Sequence, residues 1–300
     1  MNNIPEIDNL KTVIPDVSDL EYLDAGGFKA VYKGIIDEVI EAIKLIYLQP
    51  VTENNNESDE NNNISDQMIA RVNRELLALQ KCECPYLVNL GTMSLRSIII
   101  NNHEYFIYSE EYLDGISLRN NIDPKCLPEF ESIKDLAICL FSVIEALSEI
   151  GHIHRDIKPD NIIKMPLAER PFVILDLGIA FKIDGTIITH NGGVAPGTPP
   201  YMAPELFFPD YHDKIDPRSD IFSAGVTIYE FASGQHPFND NSGDINSTIR
   251  NILKKKPSPL HSCRPDIPEI FCKIVDRCIS KKPALRFSDI SNLIQTVEDI

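Results

Sequence analysis

The sequence predicts an α+β fold, with a small strand-rich N-terminal part followed by a larger, mainly helical part. Two stretches carry that reading. Residues 20–48 alternate apolar and polar side chains around a Gly26-Gly27 pair, the period-two pattern of two or three short antiparallel strands. From Ser132 onward the period changes: Leu136, Leu140, Val143, Ile144 and Leu147 recur at the spacing of one buried helix face. Three hundred residues with 43% hydrophobic content can bury a substantial core in one large domain or two smaller ones.

The elements follow in order. Residues 1–19 read as an extension ahead of a domain that runs from 20 to 300. They hold no basic start followed by an apolar run, so no signal peptide is expected. After the strands, residues 50–66 (PVTENNNESDENNNISD) are rich in Asn and acids with almost nothing to bury, and read as a mobile surface insertion. Met68, Val72, Leu76 and Leu79 mark an amphipathic helix, and strand-like runs recur at Arg96–Ile100 and 105–108. The apolar run 172–175 suits a buried strand. Residues 221–231 read as another helix, and Ile290, Leu293, Ile294 and Val297 share one face of a last one. There is no repeat, and no apolar run of membrane-spanning length.

A formal charge of −17 argues against a nucleic-acid or membrane-surface protein, because phosphate surfaces recruit clustered Lys and Arg. It favours partners with basic segments. The seven cysteines form no paired framework, and Cys82-x-Cys84 lacks zinc spacing, so reduced, mostly buried thiols in a cytoplasmic protein are expected.

The chemistry concentrates in GHIHRDIKPDNIIK, residues 151–164. Asp156 is followed by Lys158 and Asn161, and a second carboxylate, Asp176, closes the strand-like FVILD. Phosphoryl transfer needs such a set: a carboxylate to orient the attacking hydroxyl, a carboxylate and an amide oxygen for a hard divalent cation, and a cation against the transferred charge. Each residue alone is ordinary: a loop Asp is usually solvated, a strand Lys usually lies at the surface, and Asp176 would serve as a turn cap. The specificity lies in their order and spacing.

On these residues the chain resembles the eukaryotic-type Ser/Thr protein kinases over roughly 20–300. The resemblance implies a bilobal fold, with an antiparallel-sheet N-lobe plus one helix over about 20–112 and a mainly helical C-lobe over about 113–300. It implies that ATP and Mg²⁺ are used to phosphorylate Ser/Thr hydroxyls of protein substrates, with autophosphorylation. Asp156 then becomes the catalytic base and Lys158 a γ-phosphate contact, while Asn161 and Asp176 hold Mg²⁺, with Leu177 for the usual Phe of Asp-Phe-Gly. Lys44 in EAIK is the lysine that grips the α- and β-phosphates, and Glu75 in NRELLAL is its ion-pair partner. GTPPYMAPE matches the end of the activation segment: Thr198 faces the peptide substrate, and Glu205 pairs with Arg286. Asp220 anchors the backbone of the catalytic loop. Lys158-Pro159 favours Ser/Thr over Tyr as acceptor.

The same resemblance makes Leu23-Asp24-Ala25-Gly26-Gly27-Phe28-Lys29-Ala30-Val31 the glycine-rich loop over ATP, with Asp24 and Lys29 at two glycine positions. Gly26 and Gly27 keep the backbone open to phosphate oxygens, and Phe28 caps the turn. Lys29 is similar to the loop lysine of the with-no-lysine kinases. Since Lys44 is also present, the expectation is that Lys44 dominates and Lys29 assists, the alternative being that Lys29 points to solvent. Asp24 beside phosphates is repulsive unless it faces away or meets a cation. Val31, Ala42 and Ile163 should sandwich adenine, Glu111 to Leu113 form the hinge, and Glu110 falls at the gatekeeper position. Leu79, Leu90, His154 and Leu177 should stack as a spine, with His154 a satisfied structural histidine. Arg155 should meet an activation-segment phosphate, with Thr189 favoured over Thr186; apolar contacts from Ile187 and Ile188 are the alternative. Two other functions compete, a pseudokinase acting as a nucleotide-binding interaction module and a small-molecule phosphotransferase. The intact Lys44, Glu75, Asp156, Asn161 and Asp176 weigh against the first, and the peptide-positioning segment against the second.

Overall fold

The computed structural model describes residues 4–26, 29–50, 72–166, 169–177, 181–182, 197–211, 215–239 and 244–300. Residues 51–66 of the proposed insertion, Met68, Gly27, Phe28, Gly178, Thr186, Ile187, Ile188 and Thr189 lie outside the described residues. The chain divides into two compact units, 1–79 with 88–114, and 80–87 with 115–300.

The first unit is built on one antiparallel sheet. Helix α1 (Ile7–Val13) precedes strands β1 (Ser18–Gly26), β2 (Lys29–Ile36) and β3 (Val39–Pro50). A helix over 72–81, called α2, is followed by β4 (Arg96–Ile100) and β5 (His103–Glu111). The strand order is β1-β2-β3-β5-β4. Alternation sorts the side chains onto two faces. Ala30, Tyr32, Ile43, Leu45, Tyr105 and Ile107 pack with Leu10, Ile14 and Val17 of the N-terminal segment. Ile46 and Tyr108 point the other way and pack with Val72 and Leu76 of α2. The sheet is therefore covered on both faces. Residues 4–17, read from sequence as an extension, supply part of its core: Leu10 and Ile14 are fully buried, and the Tyr32 hydroxyl donates to Pro5 O at 3.0 Å.

The second unit is mainly helical. Its elements are β6 (Ile116–Ser117), α3 (Phe130–Glu149), β7 (His152–Ile153), β8 (Ile162–Lys164), β9 (Phe172–Ile174), β10 (Phe181–Lys182), α4 (Pro217–Ser233), α5 (Ile245–Lys254), α6 (Leu260–Cys263), α7 (Glu269–Cys278) and α8 (Ile290–Glu298). Helix α3 buries Leu136, Leu140, Val143, Ile144 and Leu147. Helix α4 is buried from Ser219 to Ser233. A helix hydrophobic on nearly every side belongs at the centre, and α3 and α7 pack on it. Asp216, Asp244 and Asp289 cap α4, α5 and α8 by accepting first-turn N–H groups. Residues 80–87 join this unit because Tyr86 O accepts from Ile174 N at 2.8 Å and Leu87 O from Arg170 at 3.2 Å.

All seven cysteines are free, and four are buried. Among the described residues no helix is long and apolar enough to cross a membrane.

Candidate active site

In the second unit, the turn after β7 is held from below by α4. The Asp220 carboxylate accepts the backbone N–H of His154 at 2.6 Å and of Arg155 at 2.8 Å. Burial pushes its carboxyl up, and the neighbouring His154 and those two N–H donors oppose that. The two bonds hold Arg155 at φ 69°, a left-handed conformation that a non-glycine residue adopts only where its surroundings enforce it.

That turn presents Asp156. Its Oδ2 accepts from Lys158 Nζ at 2.7 Å and from Asn161 Nδ2 at 2.9 Å, and its Oδ1 accepts from the Thr198 hydroxyl at 2.6 Å. Lys158 Nζ also donates to Thr198 Oγ1 at 2.6 Å. One carboxylate thus gathers an ammonium, an amide and a hydroxyl. Since the Asn161 nitrogen is spent on Asp156, its amide oxygen is the atom left for a cation. Leu175 N donates to Asn161 O at 2.7 Å, which ties the segment leading to Asp176 onto the catalytic turn. Asp176 stands at φ 65°, and the following Leu177 is buried. An amide oxygen and a carboxylate are hard oxygen donors, and they fit Mg²⁺.

Glu205 and Arg286 are brought together in a buried fork: Nη1 donates to Oε1 at 2.6 Å and Nη2 to Oε2 at 2.8 Å. Arg286 also donates to the carbonyls of Ser280 and Arg218, and Ser219 Oγ donates to Glu205, so nearly every polar atom of the pair is used.

One cluster went unread in the sequence. Arg119 donates to Glu230 at 2.9 Å and to Asp160 at 3.1 Å, and it bonds Tyr201, whose hydroxyl donates to Glu230. Burial and then Glu230 push the Tyr201 phenol up. The only sequence signal was Glu230 inside the apolar helix IYEFAS, where an unpaired carboxylate is costly.

In the first unit the lysine pairing differs from expectation. Lys44 Nζ bonds Glu110, not Glu75. Register explains it. Lys44 lies opposite Tyr108 and Ala42 opposite Glu110, so Lys44 and Glu110 are diagonal neighbours on one face, with the small Ala42 leaving room between them. Glu75 instead has Lys29 Nζ at 4.0 Å and accepts the Tyr108 hydroxyl at 3.4 Å. Lys29 is three-quarters or more buried, which is not the solvent-pointing alternative. Asp24 is exposed and accepts its neighbour's N–H, from Ala25 at 2.8 Å.

The remaining expected residues fall as follows. Leu23, Gly26, Val31, Ala42, Leu79, Leu90, Glu111 and Leu113 belong to the first unit; His154, Ile163 and Leu177 belong to the second. Leu23 is exposed, and the N–H of Glu111 donates to Asn89 O at 3.0 Å. His154 is fully buried but only half satisfied: Nδ1 accepts from Asp156 N at 3.3 Å, and Nε2 has no partner among the described residues.

Comparison with known proteins gives the same reading. A "Probable serine/threonine-protein kinase" of Clostridium perfringens is 26% identical over 281 residues, covering 94% of this chain and 38% of that protein. The dual specificity mitogen-activated protein kinase kinase jkk-1 of Caenorhabditis elegans is 25% identical over 296 residues, covering 92% of this chain and 60% of its own. The serine/threonine-protein kinase PknA of Mycobacterium tuberculosis is 37% identical over 137 residues, covering 46% of this chain and 29% of its own. The chain thus spans between 29% and 60% of these relatives' lengths. The family description "Protein kinase domain" matches residues 18–297, and the chain belongs to that family.

Proposed function

We propose that the protein is an ATP-dependent protein serine/threonine kinase. The observation that carries this is the Asp156 carboxylate, held by Lys158 and Asn161 and already accepting a bond from an aliphatic hydroxyl, that of Thr198. An acceptor Ser or Thr hydroxyl on a protein substrate would take the same kind of bond. Its oxygen attacks the γ-phosphorus, the bond to the β–γ bridging oxygen breaks, ADP leaves, and the hydroxyl proton passes to Asp156. Lys158 sits on the same carboxylate and can turn its ammonium towards the transferred group. Asn161 and Asp176 would hold Mg²⁺, which when bound neutralises charge on the phosphates. Arg155 and Thr189 form the proposed regulatory pair, with Thr189 the site of autophosphorylation. The first unit offers two lysines, Lys29 and Lys44, to the phosphates. The acidic chain favours substrates with basic segments.

The test is autophosphorylation with labelled ATP and Mg²⁺, comparing wild type with Asp156→Asn and adding a generic basic protein. Label in the wild type, reduced on the order of a thousandfold or more in the variant, supports the reading. Tight ATP binding with no label on either protein would make the chain a nucleotide-binding interaction module instead.

A further inference from the structure

We propose that His236 is a positioning residue for the protein substrate: as a neutral imidazole it ties down the turn that follows Thr198, and its protonation lets that turn go. The inference rests on the kinase reading and adds to it a residue outside the catalytic loop. The turn is the single 3₁₀ turn Pro199–Tyr201. Thr198, just before it, bonds Asp156 and Lys158, so a shift of the turn reaches the acceptor site. Neither proline has an N–H to give, so hydrogen bonds can hold Pro200 only through its carbonyl. His236 Nε2 stands 3.0 Å from that oxygen.

The local chain explains why the imidazole is there. Helix α4 ends at Gly234, which takes φ 70°, and a Cβ at that position would stand 2.5 Å from Pro124 Cα. Left-handed backbone and close approach both call for glycine, and they fix the direction in which the chain leaves α4. Beyond it the segment is pinned: Asn239 N donates to His236 O at 3.2 Å, and Asn251 Nδ2 to Phe238 O at 2.9 Å. The imidazole lies edge-on to the Tyr201 ring, with 5.3 Å between ring centres. Its protonation state follows from its two partners. The Pro200 carbonyl can only accept, so Nε2 carries the hydrogen; Nδ1 accepts from Phe238 N at 3.2 Å, so it carries none.

A second proton has to enter at Nδ1, where it faces the Phe238 N–H. Two donors cannot share that space, so the ring must turn, and a turned ring leaves Pro200 O. Burial, ahead of any charge, holds the imidazole below its ordinary value. Glu230 on α4 favours the imidazolium, but Arg119 opposes it and is itself bonded to Glu230 and Asp160. Lys281 lies over the Phe238 ring at 3.6 Å and adds another cation to the surroundings. Since the folded value is lowered, the tether is complete above the ordinary 6.5 and is lost as pH falls through the folded value. Tyr201 keeps two anchors without His236, from Ser223 Oγ to Tyr201 O at 2.8 Å and from the Tyr201 hydroxyl to Glu230. The release is therefore confined to the turn, and the fold survives it.

The experiment compares wild type with two variants. His236→Gln has an amide that can donate to Pro200 and does not titrate; His236→Phe keeps a ring against Tyr201 and cannot donate. Amide exchange is read by mass spectrometry at Tyr201 and Met202, whose N–H groups close the turn onto Thr198 O and Pro199 O. Phosphate transfer to histone is read as KM and kcat from about pH 7.5 down to about pH 5. At the upper pH, His236→Phe should exchange about tenfold faster than wild type at these two amides and raise KM for histone about tenfold, with KM for ATP unchanged. His236→Gln should stay within about threefold of wild type there. As pH falls, the wild type should move to the level of His236→Phe, measured against His236→Gln, whose own profile carries every other titrating group. Wild type and His236→Gln running in parallel with pH, or His236→Phe exchanging like wild type, overturns the inference and leaves the kinase reading intact. Exchange as expected with no phosphate transfer by the wild type overturns the kinase reading and leaves the tether standing.

Discussion

Arg286 makes a two-bond fork with the buried Glu205 and also donates to the carbonyls of Ser280 and Arg218. Arg286→Met strands the Glu205 carboxylate and should cost about 3–5 kcal/mol in urea unfolding. Arg286→Lys keeps the charge and loses the fork, so a smaller loss of about 1–2 kcal/mol is expected. Asp220 makes a different prediction. In Asp220→Asn one of the two oxygens becomes an N–H donor and faces a backbone N–H instead of accepting it. Amide exchange at His154 or Arg155 should quicken, and turnover should fall on the order of a hundredfold through misplacement of Asp156. These two pairings were legible because the residues stand in long recognisable segments. The partner of Lys44 was not, since it depends on which residue of a strand more than sixty positions away lies diagonal to it. Thr198 was read as facing substrate; its bonds to Asp156 and Lys158 require two chain segments to be folded together first.

At the level of elements, close approaches and buried phenols decide the outcomes. Gly225 lies in α4, where a Cβ would stand 2.6 Å from the Cys278 Cβ of α7. Helix propensity alone would favour Gly225→Ala by about 1 kcal/mol. Overpacking of about 1–3 kcal/mol opposes it, and the clash is with a short, rigid side chain, so the variant should be less stable in thermal unfolding. Tyr32 on β2 gives a pH dependence. Its phenol is pushed up to about 12, chiefly by burial, with Tyr22 and Tyr105 adding. The folded value is raised above the ordinary one near 10, so its contribution is complete below pH 10 and is lost as pH rises through about 12. Two units correspond to about 2–3 kcal/mol. Tyr32→Phe should lose about 1 kcal/mol at neutral pH, with its bond to Pro5, and show a flatter decline in stability between pH 10 and 12. The strands were legible from alternation, and α3 from its apolar stripe. Helix α1 was not, because seven residues burying one leucine give too short a repeat to register as periodic.

Over the whole chain, the two units each hold a core of their own, and the sequence marked the change from strands to helices well. It placed the change at about 112 and took the boundary to be crossed once. The structure crosses it three times, because 80–87 joins the second unit through Tyr86 and Leu87, whose bonds run to residues beyond 169. Backbone carbonyls carry no sequence signature, so this exchange could not be read in advance. The N-terminal segment bears on how the protein is handled at the bench. The family match begins at residue 18, and a chain trimmed to that point would look complete by every recognisable motif. It would lack Leu10, Ile14 and Val17, and would open Tyr32, Ile43, Leu45 and Ile107 to water along one face of a five-stranded sheet. Such a face is an invitation to self-association. We expect the trimmed protein to scatter light and elute in the void volume of a sizing column, while the chain kept from residue 4 stays dispersed. An inactive, clumped preparation of the shorter form would then report on missing packing and say nothing about whether the intact chain transfers phosphate.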